Sequence, residues 1–211
     1  MPMLDEKTQQ EVRNILSNMV KPVTVKLWSQ EFECIYCKAT HDLMNELVTL
    51  NDKLKLEVHD LLKDAAIARQ FGIEKIPAMA IMGEKDYSLR FYGLPAGYEF
   101  SSLLSALLMV STGVVQLQPE TKAWLDKLDK PLHLQVFVTP TCPYCPPAVM
   151  LAHKLAFYSD KVTADMVEIS EFPHLAVKYG VQGVPRTVIN ETVLVEGAIP
   201  EEMLLDKLKG I

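Results

Sequence analysis

The chain has 211 residues, of which 49% are hydrophobic and 23% charged, proportions typical of a folded globular protein rather than a disordered one. Its net charge of −6, with no lysine- or arginine-rich run, argues against a surface built to neutralise nucleic-acid phosphates. The N-terminus carries Asp5, Glu6 and Lys7 without a sustained apolar stretch, and the most apolar segment, 103–110, is too short to span a bilayer, so neither a secretory signal nor a membrane association is expected. A cytoplasmic location follows as the expectation.

In chain order, apolar residues at helical spacing (Val12, Ile15, Leu16, Met19) predict a first helix. A strand-like run over 22–29 leads into Cys34-Ile35-Tyr36-Cys37, and Leu43, Leu47 and Leu50 mark the helix that follows. A strand at 54–58, a helix ending at Phe71-Gly72, a proline-led strand after Pro77, a turn at 83–86, a further strand, Gly93 and a helix beginning around Gly97 complete this half. Glycine directly after a helix suits a left-handed stop.

The pattern then recurs at an offset of 108 residues. Cys34, Tyr36, Cys37, Gly72 and Pro77 reappear as Cys142, Tyr144, Cys145, Gly180 and Pro185. A helix containing Ala123, Trp124 and Leu128, strands at 132–139 and 162–169, a helix with Leu151 and Leu155, and Gly197 before the last helix fill in the copy. The reading is an α/β chain of two tandem units, 1–116 and 117–211, each with the order βαβαββα preceded by an extra helix and each with a mixed central sheet flanked by helices.

Four cysteines are too few for a disulfide scaffold, and paired cysteines in a reducing compartment point to redox or metal chemistry. In each half the first cysteine lies where a strand passes to a helix, so unpaired backbone N–H groups and the helix dipole favour its thiolate. Cys34 and Cys142 are therefore the expected nucleophiles. Cys37 and Cys145, three residues on, are placed to close a disulfide and release substrate. With the helix starting at Pro143, that proline is compatible with the first turn, whereas Pro147 is expected to remove a hydrogen bond and bend the helix. Ile35 stands in the first site where Pro143 stands in the second, so the two potentials should differ; about 30 mV corresponds to about 1.4 kcal/mol for this couple. A four-thiolate zinc site is the competing reading. It is disfavoured because 104 residues separate Cys37 from Cys142, against roughly 15–20 between typical zinc knuckles.

A strand, a Cys-Xaa-Xaa-Cys opening a helix, and Ile76-Pro77 or Val184-Pro185 some 40 residues later resemble the thioredoxin/glutaredoxin fold. The resemblance implies that Pro77 and Pro185 are cis prolines facing the cysteines, and that Ile76 and Val184 offer backbone pairing to an extended substrate. Over essentially the whole chain, and most specifically in 137–146 (FVTPTCPYCP) and 91–100 (FYGLPAGYEF), the sequence is similar to the protein disulfide oxidoreductases of thermophilic archaea and bacteria, glutaredoxin-like proteins of two fused thioredoxin-fold units. Membership implies reduction, formation and isomerisation of disulfides in protein substrates, with electrons from a thioredoxin-reductase-like flavoprotein; separately, no cofactor or metal is expected. The second pair, with the stronger signature, is expected to be the more active. An electron relay feeding a peroxidase, resembling the fused thioredoxin-fold region of the alkyl hydroperoxide reductase flavoprotein, is the alternative; there only one half keeps its cysteines.

The buried aspartate that thioredoxins place six residues before the first cysteine is replaced by Trp28 and Val136. Asp60 and Glu168, related by the same offset, are candidates for the proton-transfer role, with strand-end or helix-start duty as the plainer reading. Trp28 is expected beside the first site, Trp124 packed on its helix, Tyr36 and Tyr144 as exposed contacts, and Arg186 either against an anionic substrate group or in a surface ion pair. The histidines at 41, 59, 133, 153 and 174 lack metal-ligand spacing.

Overall fold

The computed structural model describes residues 3–211. The first half runs α1 (Glu6–Leu16), β1 (Val23–Ser29), α2 (Cys37–Val48), β2 (Leu54–Asp60), α3 (Ala65–Gln70), β3 (Ala78–Met82), β4 (Asp86–Tyr92) and α4 (Glu99–Thr112). The second repeats the order as α5 (Pro119–Leu125), β5 (Leu132–Val138), α6 (Cys145–Tyr158), β6 (Val162–Glu168), α7 (Pro173–Lys178), β7 (Arg186–Ile189), β8 (Val193–Glu196) and α8 (Glu201–Lys209). Gly72 and Gly180 end α3 and α7 at φ +67° and +58°, and the N–H groups of Ile73 and Val181 donate back to Ala68 and Ala176 at 2.8 and 2.9 Å, the same left-handed stop in both halves.

The repeat suggests one sheet per half, but the strands join into a single sheet in the order β2-β1-β3-β4-β6-β5-β7-β8. The link is a parallel pairing of β4 with β6, from Leu89 opposite Ala164 to Tyr92 opposite Val167. Either strand alone would end its half's sheet with a row of unsatisfied backbone groups. Pairing them satisfies both edges and buries Leu89, Phe91, Ala164 and Met166 completely on one face.

Alternation along the strands divides the interior in two. One cluster packs Val25, Leu27, Leu89, Phe91, Leu134 and Val136 against α1, α2, α4, α5, α6 and α8. The intervening side chains, Trp28, Ala80, Tyr92, Phe137 and Val167, face the other way and meet residues of α3 and of the segments flanking α7. No helix among the described residues is long and apolar enough to cross a membrane.

Strands β1, β2, β4, β5 and β6 run in one direction and β3 and β7 in the other. The loops leaving β1 and β5, each carrying a cysteine pair, therefore emerge from the same edge of the sheet. Four strand spacings of roughly 4.8 Å separate β1 from β5, or about 19 Å.

Because Phe91 lies at the seam with no exposed surface, Phe91→Ala is expected to cost about 3–5 kcal/mol. Val177→Ala, at a side chain 84% exposed, should stay within about 0.5 kcal/mol. Denaturant unfolding of the two variants measures the contrast.

Candidate active sites

Both helices that follow the cysteine loops begin at the second cysteine of the pair, after Tyr36 and Tyr144, which provide no side-chain cap. In α2 this leaves first-turn N–H groups free at the loop that holds Cys34, whereas in α6 Pro146 and Pro147 have none and the Cys145 N–H donates to the Cys142 carbonyl at 3.4 Å. This start corrects the expectation for the prolines. Pro143 precedes the cap and lies outside the helix, while Pro146 and Pro147 fall in the first turn of α6. Amides there have no acceptor one turn back, so neither proline removes a helical hydrogen bond.

The two halves bury their cysteines alike. Cys34 and Cys142 are partly exposed, whereas Cys37 and Cys145 are 1% and 0% exposed. Cys34 and Cys37 are joined in a disulfide; Cys142 and Cys145 are free thiols. Burial, and then a hydrogen bond shared with Cys142, push the Cys145 thiol far above its ordinary range, so its proton is firmly held. A part-exposed sulfur beside a buried, protonated one is the division that attack and resolution require.

The Ile76-Pro77 and Val184-Pro185 bonds are both cis. Each proline carbonyl accepts an N–H from the glycine that follows the neighbouring strand, Gly93 to Pro77 and Gly197 to Pro185, both at 2.9 Å. These glycines have φ of +93° and +76°, a region that side-chain-bearing residues rarely adopt. In the second site the Val184 carbonyl lies 3.7 Å from Cys142 Sγ, bringing the predicted substrate-pairing backbone and nucleophile together.

The acidic candidates separate. Asp60 Oδ1 accepts N–H bonds from Leu62 and Lys63 at 2.9 and 2.8 Å, which hold its carboxyl below the usual range; it is a turn residue in the wall of the first site's groove. Glu168 is buried, with Oε2 accepting the Glu171 N–H at 2.8 Å and Oε1 unpartnered. The sequence reading passed over Glu99. This carboxyl is 1% exposed, accepts the Ser102 hydroxyl at 2.7 Å on Oε2, has no partner for Oε1, and is pushed up to about 7 by burial. Its charge is among those that raise the Cys145 thiol, so a group from the first half acts on the second half's cysteine. The signal was present in the segment 91–100, but looking for the acid within the same unit hid it.

The segment delivering Glu99 is seated tightly. Tyr98 N–H donates to the Pro140 carbonyl at 2.9 Å, just before Cys142, and a Cβ on Gly97 would meet that oxygen at 2.2 Å. Leu94 N–H donates to Glu171 Oε1 at 2.7 Å, and Glu171 is likewise pushed up to about 7, chiefly by burial. By contrast, the groove beside the first pair, about 550 Å³, is lined by residues of the first half alone.

Other expectations resolve simply. Trp28 does not line the first site: alternation along β1 turns it to the opposite face, fully buried and stacked 5.2 Å from the His59 ring. Trp124 packs half-buried against the main core. Tyr144 is exposed, and Arg186 is paired with Glu196. His153 is neither a surface nor a fully satisfied histidine. It is buried with Nδ1 unpartnered and is pushed down to about 4 by burial. No group of three or more metal-ligating side chains comes together among the described residues.

Comparison with known proteins agrees with this geometry. Residues 132–209 match the thioredoxin domain family. The crystal structure of a protein disulfide oxidoreductase from Aeropyrum pernix k1 superposes with a TM-score of 0.91 at 34% identity, covering 98% of this chain and 94% of that one. The chain belongs to the protein disulfide oxidoreductase family. It is a thioredoxin-fold redox protein with two Cys-Xaa-Xaa-Cys pairs. An N-terminal domain of the alkylhydroperoxide reductase AhpF from Enterococcus faecalis superposes with a TM-score of 0.90 at 25% identity, covering 97% of this chain and 99% of that one. An alkyl hydroperoxide reductase sequence of the same kind from Xanthomonas campestris pv. phaseoli is 24% identical over 98% of this chain, which spans only 37% of that protein's length.

Two measurements follow. A carboxyl raised from 4.5 to about 7 binds its proton more tightly when folded, so its contribution to stability is full below about 4.5 and is lost as pH rises through about 7. Glu99→Gln should therefore flatten the decline in stability across that window, read by chemical denaturation at a series of pH values. Gly97→Ala must strain φ and displace Pro140, at about 1–3 kcal/mol for the backbone alone. Alkylation of the fully reduced protein should show the reactivity of Cys142 altered and that of Cys34 unchanged.

Proposed function

We propose that the chain is a thiol:disulfide oxidoreductase acting on protein disulfides at two sites, with the units 1–116 and 117–211 each contributing one pair and the second pair the more active. The observation that carries this reading is the arrangement of the second site: a part-exposed Cys142, a buried protonated Cys145, and the Val184 carbonyl beside the outer sulfur.

In the reductive direction, the Cys142 thiolate attacks one sulfur of a substrate disulfide lying along the 184–185 backbone. The substrate S–S bond breaks, one substrate thiolate leaves and takes a proton, and a Cys142–substrate disulfide forms. Cys145 gives up its proton, with Glu99, whose charge acts on that thiol, as the candidate acceptor, and attacks Cys142. The mixed disulfide breaks, the second substrate thiolate departs, and a Cys142–Cys145 disulfide holds the oxidation. Two electrons have passed to the substrate. A thioredoxin-reductase-like flavoprotein would restore the dithiol, and the reverse sequence forms disulfides. The first pair follows the same thiol exchange through Cys34 and Cys37 without Glu99, its proton passing to water, and the cis Ile76-Pro77 backbone is offered to its substrate. The proposed setting is the cytoplasm.

Turnover of insulin disulfides and recovery of scrambled ribonuclease test the reading. Cys142→Ser should lower both by about tenfold or more, an effect of at least about 1.4 kcal/mol on the barrier, and Cys34→Ser by less. If neither replacement lowers either activity, the catalytic assignment is wrong. Full-chain similarity to the alkyl hydroperoxide reductases favours a second reading, an electron relay to a peroxidase. That reading predicts fast reduction of a peroxidase disulfide and little turnover of insulin.

A further inference from the structure

The sheet's second face carries polar groups that the redox chemistry does not use. Only α3, α7 and their flanking segments cover this face, and between them a cleft of about 660 Å³ opens over the seam between β4 and β6. Towards the carboxyl ends of the strands the face is apolar, with Tyr92, Val167 and Phe137 buried. One step back the side chains of the same alternation are Arg90, Asp165 and Gln135, only 3–4% exposed, and they form the cleft floor. Polar groups buried on a sheet cost free energy unless each finds a partner.

Most do. Arg90 forks onto Asp86, with Nη1 2.8 Å from Oδ1 and Nη2 2.5 Å from Oδ2, and donates from Nε to the Phe71 carbonyl at 3.3 Å. Gln135 donates to Glu191 at 2.7 Å. Two groups stand apart. Asp165 holds His133 Nε2 at 2.7 Å with Oδ2, yet its Oδ1 is buried and has no partner. Lys75, on the opposite wall, places Nζ 3.6 Å from the Tyr92 ring centroid and has no carboxylate within ion-pair distance among the described residues. Burial pushes this lysine below its ordinary range, with Asp165 as the foremost charge acting in the opposite sense. The cleft therefore holds one carboxylate oxygen without a hydrogen-bond partner and one ammonium that rests on an aromatic face with no carboxylate beside it. Apart from these two, the lining holds three Lys or Arg and three Asp or Glu side chains, so their formal charges cancel.

We propose that this cleft is a binding site for a short unblocked peptide, its ammonium group on Asp165 Oδ1 and its carboxylate on Lys75. A lone anion would leave the buried aspartate oxygen unsatisfied and facing like charge. A lone cation would leave Lys75 without an acceptor. A zwitterion answers both, and the volume lies within the range of small-molecule pockets, roughly 300–1,000 Å³. The site draws on both halves and exists because β4 and β6 pair.

Isothermal titration of the full chain with glycylglycine and with triglycine, which separate the two charges by different lengths, tests this. Saturable binding of one equivalent of at least one peptide is expected. N-acetylation and C-terminal amidation of that peptide should each weaken it about tenfold or more, the equivalent of about 1.4 kcal/mol. Asp165→Asn and Lys75→Met should do the same. Absence of saturable binding by either peptide up to about 10 mM, or equal binding of free and blocked forms, overturns the proposal. If Asp165→Asn fails to fold, the blocked peptides on the wild-type protein still decide it.

Discussion

Parallel pairing of β4 with β6 is the constraint on which the rest of the molecule depends. Each half alone would leave a strand edge open and a hydrophobic face incompletely covered. Joined, they become one eight-stranded sheet whose main core draws side chains from both halves. The pairing sets the direction of the second half relative to the first, and with it the side from which both cysteine loops emerge. It also brings the end of β4 beside the end of β6, so that the following segment can seat Gly97 and Tyr98 on Pro140.

That seating divides two sites that look equivalent in the sequence. The first pair lies in a groove built from its own half. The second has a buried carboxyl from the neighbouring half acting on its inner cysteine. The two halves differ at their cysteine pairs while keeping one element order, because the join places α4 beside α6. The replacement of Pro143 by Ile35 in the first loop is thus only part of the difference between the pairs.

Much of this was legible in the sequence because repeated local rules leave repeated residues. Gly72 and Gly180 mark left-handed helix stops, and the cysteines mark strand-to-helix turns in both halves. The β4–β6 pairing left no such mark: alternation at Leu89, Arg90 and Phe91 describes a half-buried strand whatever its neighbour. Glu99 was missed for the same non-local reason. Trp28 was misplaced because closeness in sequence to the first loop says less than strand parity, which sends it to the other face. Near Cys142 the density of prolines obscured the helix start, and the two-residue difference changed Pro147 from a disruption into an ordinary first-turn residue.

The common edge of the two cysteine loops bears on how a long chain is handled. A span of about 19 Å is covered by roughly six residues of extended polypeptide at about 3.3 Å each. If the substrate is an unfolded protein, as proposed, one chain of that length can touch both loops at once. Once its first sulfur is captured, the second loop sees a tethered thiol or disulfide at an effective concentration set by the chain between them rather than by bulk solution. On the proposed reading, two pairs on one edge would act as a chelating pair for the same polypeptide, a property neither has alone.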